Sequence, residues 1–125
     1  MLSGITAVDP EGAIVGGDSA YEQTREVLRK LGQALAVAGG RLDQVVSTRM
    51  YLTAPELWRE VGRAHQEAFA AAPPAATMIV VGALLDPRML VEVEAVAYTA
   101  PAAPAASAAS AVRAGCRTAP GSHGR

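Results

Sequence analysis

The stretch Pro73–Tyr98, PPAATMIVVGALLDPRMLVEVEAVAY, decides the fold of this chain. It reads as two strands joined by a turn. Thr77 to Ala83 is apolar on both faces, the pattern of a strand covered from two sides. Asp86-Pro87 supplies the turn, because proline presets one backbone angle and the aspartate side chain caps the bend. In the second strand Met89, Val91, Val93, Ala95 and Ala97 point one way. Leu90, Glu92, Glu94, Val96 and Tyr98 point the other. Two carboxylates in an apolar strand must face water, a partner subunit or a cation.

Upstream, residues 1–17 carry Leu2-Ser3-Gly4, Asp9-Pro10-Glu11-Gly12 and Gly16-Gly17, turn signals that leave little room for a full strand. A first helix begins at Ser19, with Glu22 at capping-box spacing. Its apolar stripe is Val27, Leu28, Leu31, Leu35 and Ala38, and Gly39-Gly40 ends it. Val45–Leu52 is a strand with Val46, Thr48, Met50 and Leu52 on its more apolar face and Ser47, Arg49 and Tyr51 on the other. A second helix is expected from Thr53, with Pro55 in its first turn, Glu56 completing a capping box, and a stripe of Leu57, Trp58, Val61, Ala64, Ala68 and Phe69. Pro73-Pro74 stops it, and His65, bordering that stripe, reads as a packing or surface residue rather than a catalytic base.

Together these elements predict one α+β domain over residues 1–98, a sheet backed by two helices on one face. Residues 99–125 are rich in alanine, proline, serine and glycine and read as a disordered tail. The helices cover one sheet face only, so the other is expected to be buried by self-association. Glu92 and Glu94 then need a cation, for which Arg49 is the first candidate and Arg88 the second.

Composition removes several function classes. The net charge is −1 with no basic cluster, so the electrostatic footprint of a nucleic-acid binder is missing. His65 and His123 lie far apart and the only cysteine is Cys116, which leaves no spacing suited to a metal site and no intrachain disulfide. The opening MLSG lacks a basic n-region and an apolar h-region and does not read as a signal peptide. The longest apolar run, Met78 to Leu85, is far short of the roughly 20 residues of a spanning helix. A soluble cytoplasmic protein without membrane partners is the expectation.

Four segments carry a more specific message: RLDQVVSTRMYLT, WREVGRAHQEAF, PPAATM and LVEVEAVAY. In order and spacing they resemble the Rid (YjgF) family of reactive-intermediate deaminases, over about Leu2 to Tyr98. The resemblance implies a chorismate-mutase-like fold, a homotrimer with ligand sites in clefts between subunits, and hydrolysis of enamines and imines to ketoacids and ammonia. It implies no metal or cofactor, and a small-molecule metabolite as the partner. By the same resemblance, Glu92 matches the glutamate that positions the attacking water. Ser3-Gly4 matches a ligand-contacting Ser-Gly, Ala76 stands where deaminating members place a carboxylate-clamping arginine, and Met78 replaces a cleft cysteine. Family members also place a strand and most of another before that Ser-Gly, together with a cleft tyrosine, so the first strands read as missing here. Three functions stay open: an active deaminase, a Rid-like trimer with altered chemistry in which Arg49 is a relocated cation, and a non-catalytic ligand-binding or regulatory protein.

Overall fold

The computed structural model describes residues 1–99. Apart from Thr99, the proposed tail lies outside the described residues. In chain order the elements are β1 (Leu2–Ile5), α1 (Ala20–Val37), β2 (Val45–Leu52), α2 (Trp58–Ala68), β3 (Ala75–Val80) and β4 (Val91–Ala97). They form an α+β domain whose single four-stranded sheet has the order β1-β4-β2-β3. β4 runs antiparallel to both β1 and β2, and β3 runs parallel to β2.

Alternation along β4 decides which side is core. Val91, Val93 and Ala95 are buried opposite Leu52, Met50 and Thr48 of β2. Val27, Leu28, Leu31 and Leu35 of α1 and Val61 and Ala64 of α2 are buried with them, so both helices lie on that face. Within this apolar layer His65 accepts or donates one bond, Nε2 to the Thr48 hydroxyl at 2.8 Å, and its ring lies 4.6 Å from that of Phe69. His65 is a packing residue, as its place beside the α2 stripe implied. Burial pushes its imidazole below the ordinary value. An unfolded chain therefore binds a proton near pH 6.5 that the fold refuses. Stability is expected to fall as pH drops below about 6.5, with a slope of at most about 1.4 kcal/mol per pH unit, until the buried ring itself titrates. Urea titrations at pH 7.5, 6.5 and 5.5 check this, since a His65→Gln protein should lose that part of the slope.

Several elements differ from what local sequence implies. The opening residues do form a strand, β1, paired along β4. The two strands of the deciding stretch are not neighbours, because β2 lies between them. The first of them is an edge strand, Ala75–Val80, exposed at every position rather than covered from two sides. Among the described residues its only strand partner is β2, and no strand there pairs with its outer edge.

In β2 a bulge between Val45 and Ser47 turns Val46 outward and Val45 inward, reversing the expected phase at that end. Thr53 does not cap a helix. Its N–H donates to the Leu90 carbonyl at 3.2 Å, and a 3-10 turn, Pro55–Leu57, precedes α2. Ala38, Ala68 and Trp58 are exposed, the last stacked under Arg59 with 5.2 Å from guanidinium to ring centre. At α1 the Ser19 hydroxyl does accept from the Glu22 N–H at 3.1 Å. None of the helices among the described residues is long and apolar enough to cross a membrane.

Candidate functional site

On the sheet face turned away from the helices, β2 and β4 set Arg49 opposite Glu94 and Tyr51 opposite Glu92. This follows from period-two alternation once Met50 and Val93 are committed to the core. Arg49 donates from Nη1 to Glu94 Oε1 at 3.2 Å, and the Tyr51 hydroxyl donates to the same oxygen at 2.7 Å. Glu94 is thus the half-buried hub of the face, its side chain 21% exposed against 55% for Arg49. Tyr51 is a site residue that sequence reasoning set on this face without assigning it a role. Its signal was the two-residue spacing from Arg49.

Glu92 is held differently. β1 pairs with β4 through Leu2 to Ala95 and Ile5 to Val93, so Ser3 and Gly4 together oppose Glu94 alone. This is a bulge, and it brings the backbone of Gly4 over the Glu92 side chain. A Cβ built at Gly4 lies 2.1 Å from Glu92 Oε1 and 2.8 Å from its carboxyl carbon. Only glycine leaves the carboxylate where it is. Among the described residues Glu92 has no cation within salt-bridge distance, and Arg88 is not available to it. Arg88 instead pairs with Asp86 at 2.8 Å, and its guanidinium holds that carboxyl down at about 2.

An open cavity of about 310 Å³ lies against these groups, lined by Gly4, Tyr51, Val81, Ala83, Leu84, Glu92 and Glu94. A smaller hollow beyond the Arg49–Glu94 pair is lined by Met1, Ser47, Arg49, Glu94, Ala95 and Val96. Val81, Ala83 and Leu84 belong to the connector between β3 and β4. That connector is fastened by the buried Gln23 of α1, which donates from Nε2 to the Arg88 carbonyl at 2.9 Å and accepts from the Leu90 N–H at 2.9 Å. Gln23 occupies the buried side of an amphipathic helix and was not singled out by its pattern.

Ala76 and Met78 lie apart from this group. Their register partners on β2 are Thr48 and Met50, so they share the helix-side face, at the exposed edge of the sheet. The Met78 methyl reaches within 3.3 Å of where a Cβ at Gly62 of α2 belongs. One chain therefore gathers Ser3, Gly4, Arg49, Tyr51, Glu92 and Glu94 on one face and carries Ala76 and Met78 at the far edge, with β2 between.

The close approach at Gly4 gives a specific expectation. In a Gly4→Ala protein the far end of the Glu92 side chain must swing away, which a flexible carboxylate does at little cost to the fold. Midpoint of urea unfolding should shift little, while any Glu92-dependent activity should drop at least about tenfold, because a displacement of an ångström is enough to misplace a catalytic group.

The family model described as endoribonuclease L-PSP matches residues 1–99. A crystal structure of a YjgF-family protein from Mycobacterium tuberculosis is 42% identical with a TM-score of 0.69, over 78% of this chain and 75% of that one. A Rid-family structure from Yersinia pestis is 32% identical with a TM-score of 0.70, over 78% and 76%. An uncharacterized protein of Streptomyces coelicolor is 36% identical over 98 residues, 78% of this chain and 72% of its own length. The chain belongs to the endoribonuclease L-PSP family, the YjgF or Rid family of its solved relatives.

Proposed function

We propose that the protein hydrolyses enamines or imines of small metabolites, in clefts formed between the copies of a homotrimer. The observation that supports this best is the Glu92 carboxylate, held under the Gly4 backbone at the wall of the cavity and unpaired with any cation among the described residues. Such a group is free to orient a water and take its proton as the water adds to a carbon–nitrogen double bond. Glu94, by contrast, is committed to Arg49 and Tyr51 and acts as the support of the face.

Trimeric assembly is favoured by the surface that one chain leaves open. Val46 and Val96 on the bare sheet face, and Ile79 and Val80 on the edge strand, are each more than a third exposed. An unpaired apolar edge beside an open apolar face is ordinarily covered in a stable protein. A neighbouring edge strand laid near Glu92 brings Ala76 and Met78 to the cavity that they do not reach in their own chain. In that arrangement Ser3, Gly4 and Glu92 come from one subunit and Ala76 and Met78 from the next.

A non-catalytic ligand-binding role is the second reading. Ala76 favours it, since no guanidinium is present there to orient a substrate carboxylate. Ribonuclease activity, which the family's description names, has less support. The face carries two carboxylates against one guanidinium, and phosphates are bound by the opposite balance. The test is ammonia release from a panel of freshly generated imines, followed at protein concentrations well below substrate. Acceleration that depends on Glu92 supports hydrolysis; saturable binding of the same compounds without acceleration supports the second reading.

A further inference from the structure

Resting on the hydrolytic reading, we infer that the cleft selects carboxylate-free, cationic imines, of the kind formed from primary amines, over the imines of α-amino acids. The charge balance of the site carries this. Arg49 and Glu94 neutralise each other across 3.2 Å, and the Tyr51 hydroxyl completes the Glu94 environment. What remains is the single negative charge of Glu92. The rest of the cavity wall is Gly4, Val81, Ala83 and Leu84, none of which can meet an anion with a charge. The edge strand Ala75–Val80, AATMIV, is also uncharged, so a neighbouring copy that docks this edge brings no cation with it.

An imine of an α-amino acid carries a carboxylate bonded to the carbon that water attacks. Bringing that carbon to a water held by Glu92 sets two anions a few ångströms apart in a partly desolvated cleft. Arg49 is not free to resolve this. Its charge is already shared with Glu94, to which its Nη1 donates at 3.2 Å, and it does not line the cavity beside Glu92. An iminium without a carboxylate meets the opposite field, since its positive charge is attracted by Glu92.

The chemistry balances without a further reactant. Water forms the new C–O bond and gives a proton to Glu92, which returns it to nitrogen. The C–N bond then breaks as the carbinol hydroxyl becomes the carbonyl, and its proton passes to the departing ammonia. An iminium and one water become an aldehyde and ammonium, and the positive charge that entered on the imine leaves on the ammonium.

The experiment compares two imines that differ by the carboxylate alone, butan-1-imine generated from butylamine by an amine oxidase and the imine of norvaline generated by an amino-acid oxidase. Ammonia release is followed with the full-length protein. Binding of butylammonium and of 2-oxopentanoate is measured in parallel by calorimetry. The expected result is a kcat/KM at least about tenfold higher for the amine-derived imine, the scale of discrimination that one uncompensated charge in a partly buried site supplies. A preference for the norvaline imine, lost in an Arg49→Met protein, overturns the inference while leaving the hydrolytic reading intact. If neither imine is hydrolysed faster than in buffer, the hydrolytic reading fails. The binding arm then decides the charge preference: tighter butylammonium upholds it, and tighter 2-oxopentanoate removes it.

Discussion

A Glu92→Gln protein is expected to keep its fold and assembly and to lose ammonia release by at least about a hundredfold, the lower range of what a positioned acid–base group contributes. Glutamine has nearly the same shape, so it still fits under Gly4, but it cannot accept a proton from water. The side chain pairs with no cation among the described residues, so its replacement strands no buried charge, and the urea midpoint should barely move. Glu94→Gln is the informative contrast. It leaves Arg49 without its carboxylate and weakens the bond from Tyr51, so its effect should fall on stability and substrate affinity together. A kcat loss confined to Glu92 distinguishes a reacting group from a neighbour that supports the face.

Ala76→Arg is expected to move the protein in the other direction, raising kcat/KM for carboxylate-bearing imines at least about tenfold, since a bidentate guanidinium–carboxylate contact both binds and orients. Position 76 is exposed on the edge strand, so the longer side chain has room and the fold should tolerate it. Lysine at the same place should do less, because a point charge lacks the planar fork. The gain should vanish when Glu92→Gln is added, since clamping a substrate does not replace the group that activates water. Steady-state kinetics of the two single variants and the double variant, with the norvaline imine, measure this.

Much of the fold was legible because it rests on periodicity. β2 is bounded in the sequence as in the structure, and the alternation of Val91, Val93 and Ala95 against Glu92 and Glu94 is the alternation that separates core from open face. Arg49 was placed beside a glutamate by the same parity, and the structure gives Glu94 as that glutamate. What escaped the pattern is where the backbone departs from it. Leu2 and Ile5 are three residues apart, yet both face the core, because the Ser3-Gly4 bulge inserts an extra residue between them. A strand with its alternation broken by Ser-Gly looks like a turn. Val46 was misassigned for the same reason. Strand order was not legible at all, since adjacency of β4 to β2 is a long-range property that no local window carries.

The site was legible to the extent that its parts sit on regular strands. Glu92, Arg49, Tyr51 and the Ser3-Gly4 pair fall on or beside one face, whereas the bond from Tyr51 to Glu94 and the connector residues Val81, Ala83 and Leu84 emerge only from the packing. Ala76 and Met78 illustrate a different limit. Their place in a cleft rests on resemblance, and one chain sets them on the helix-side face at the edge strand. Their relation to Glu92 is thus a statement about assembly.

That relation is what the account depends on, and subunit mixing tests it directly. Ala76→Trp fills the edge side of the proposed cleft, Glu92→Gln disables the other side, and each protein alone should release little ammonia. Co-expressed from two differently tagged copies and purified through both tags, they should recover about a third of the wild-type rate, because every trimeric ring that contains both variants has one cleft in three with both halves native. Mixed assemblies no more active than either variant alone contradict a cleft built from Glu92 of one copy and the edge strand of the next.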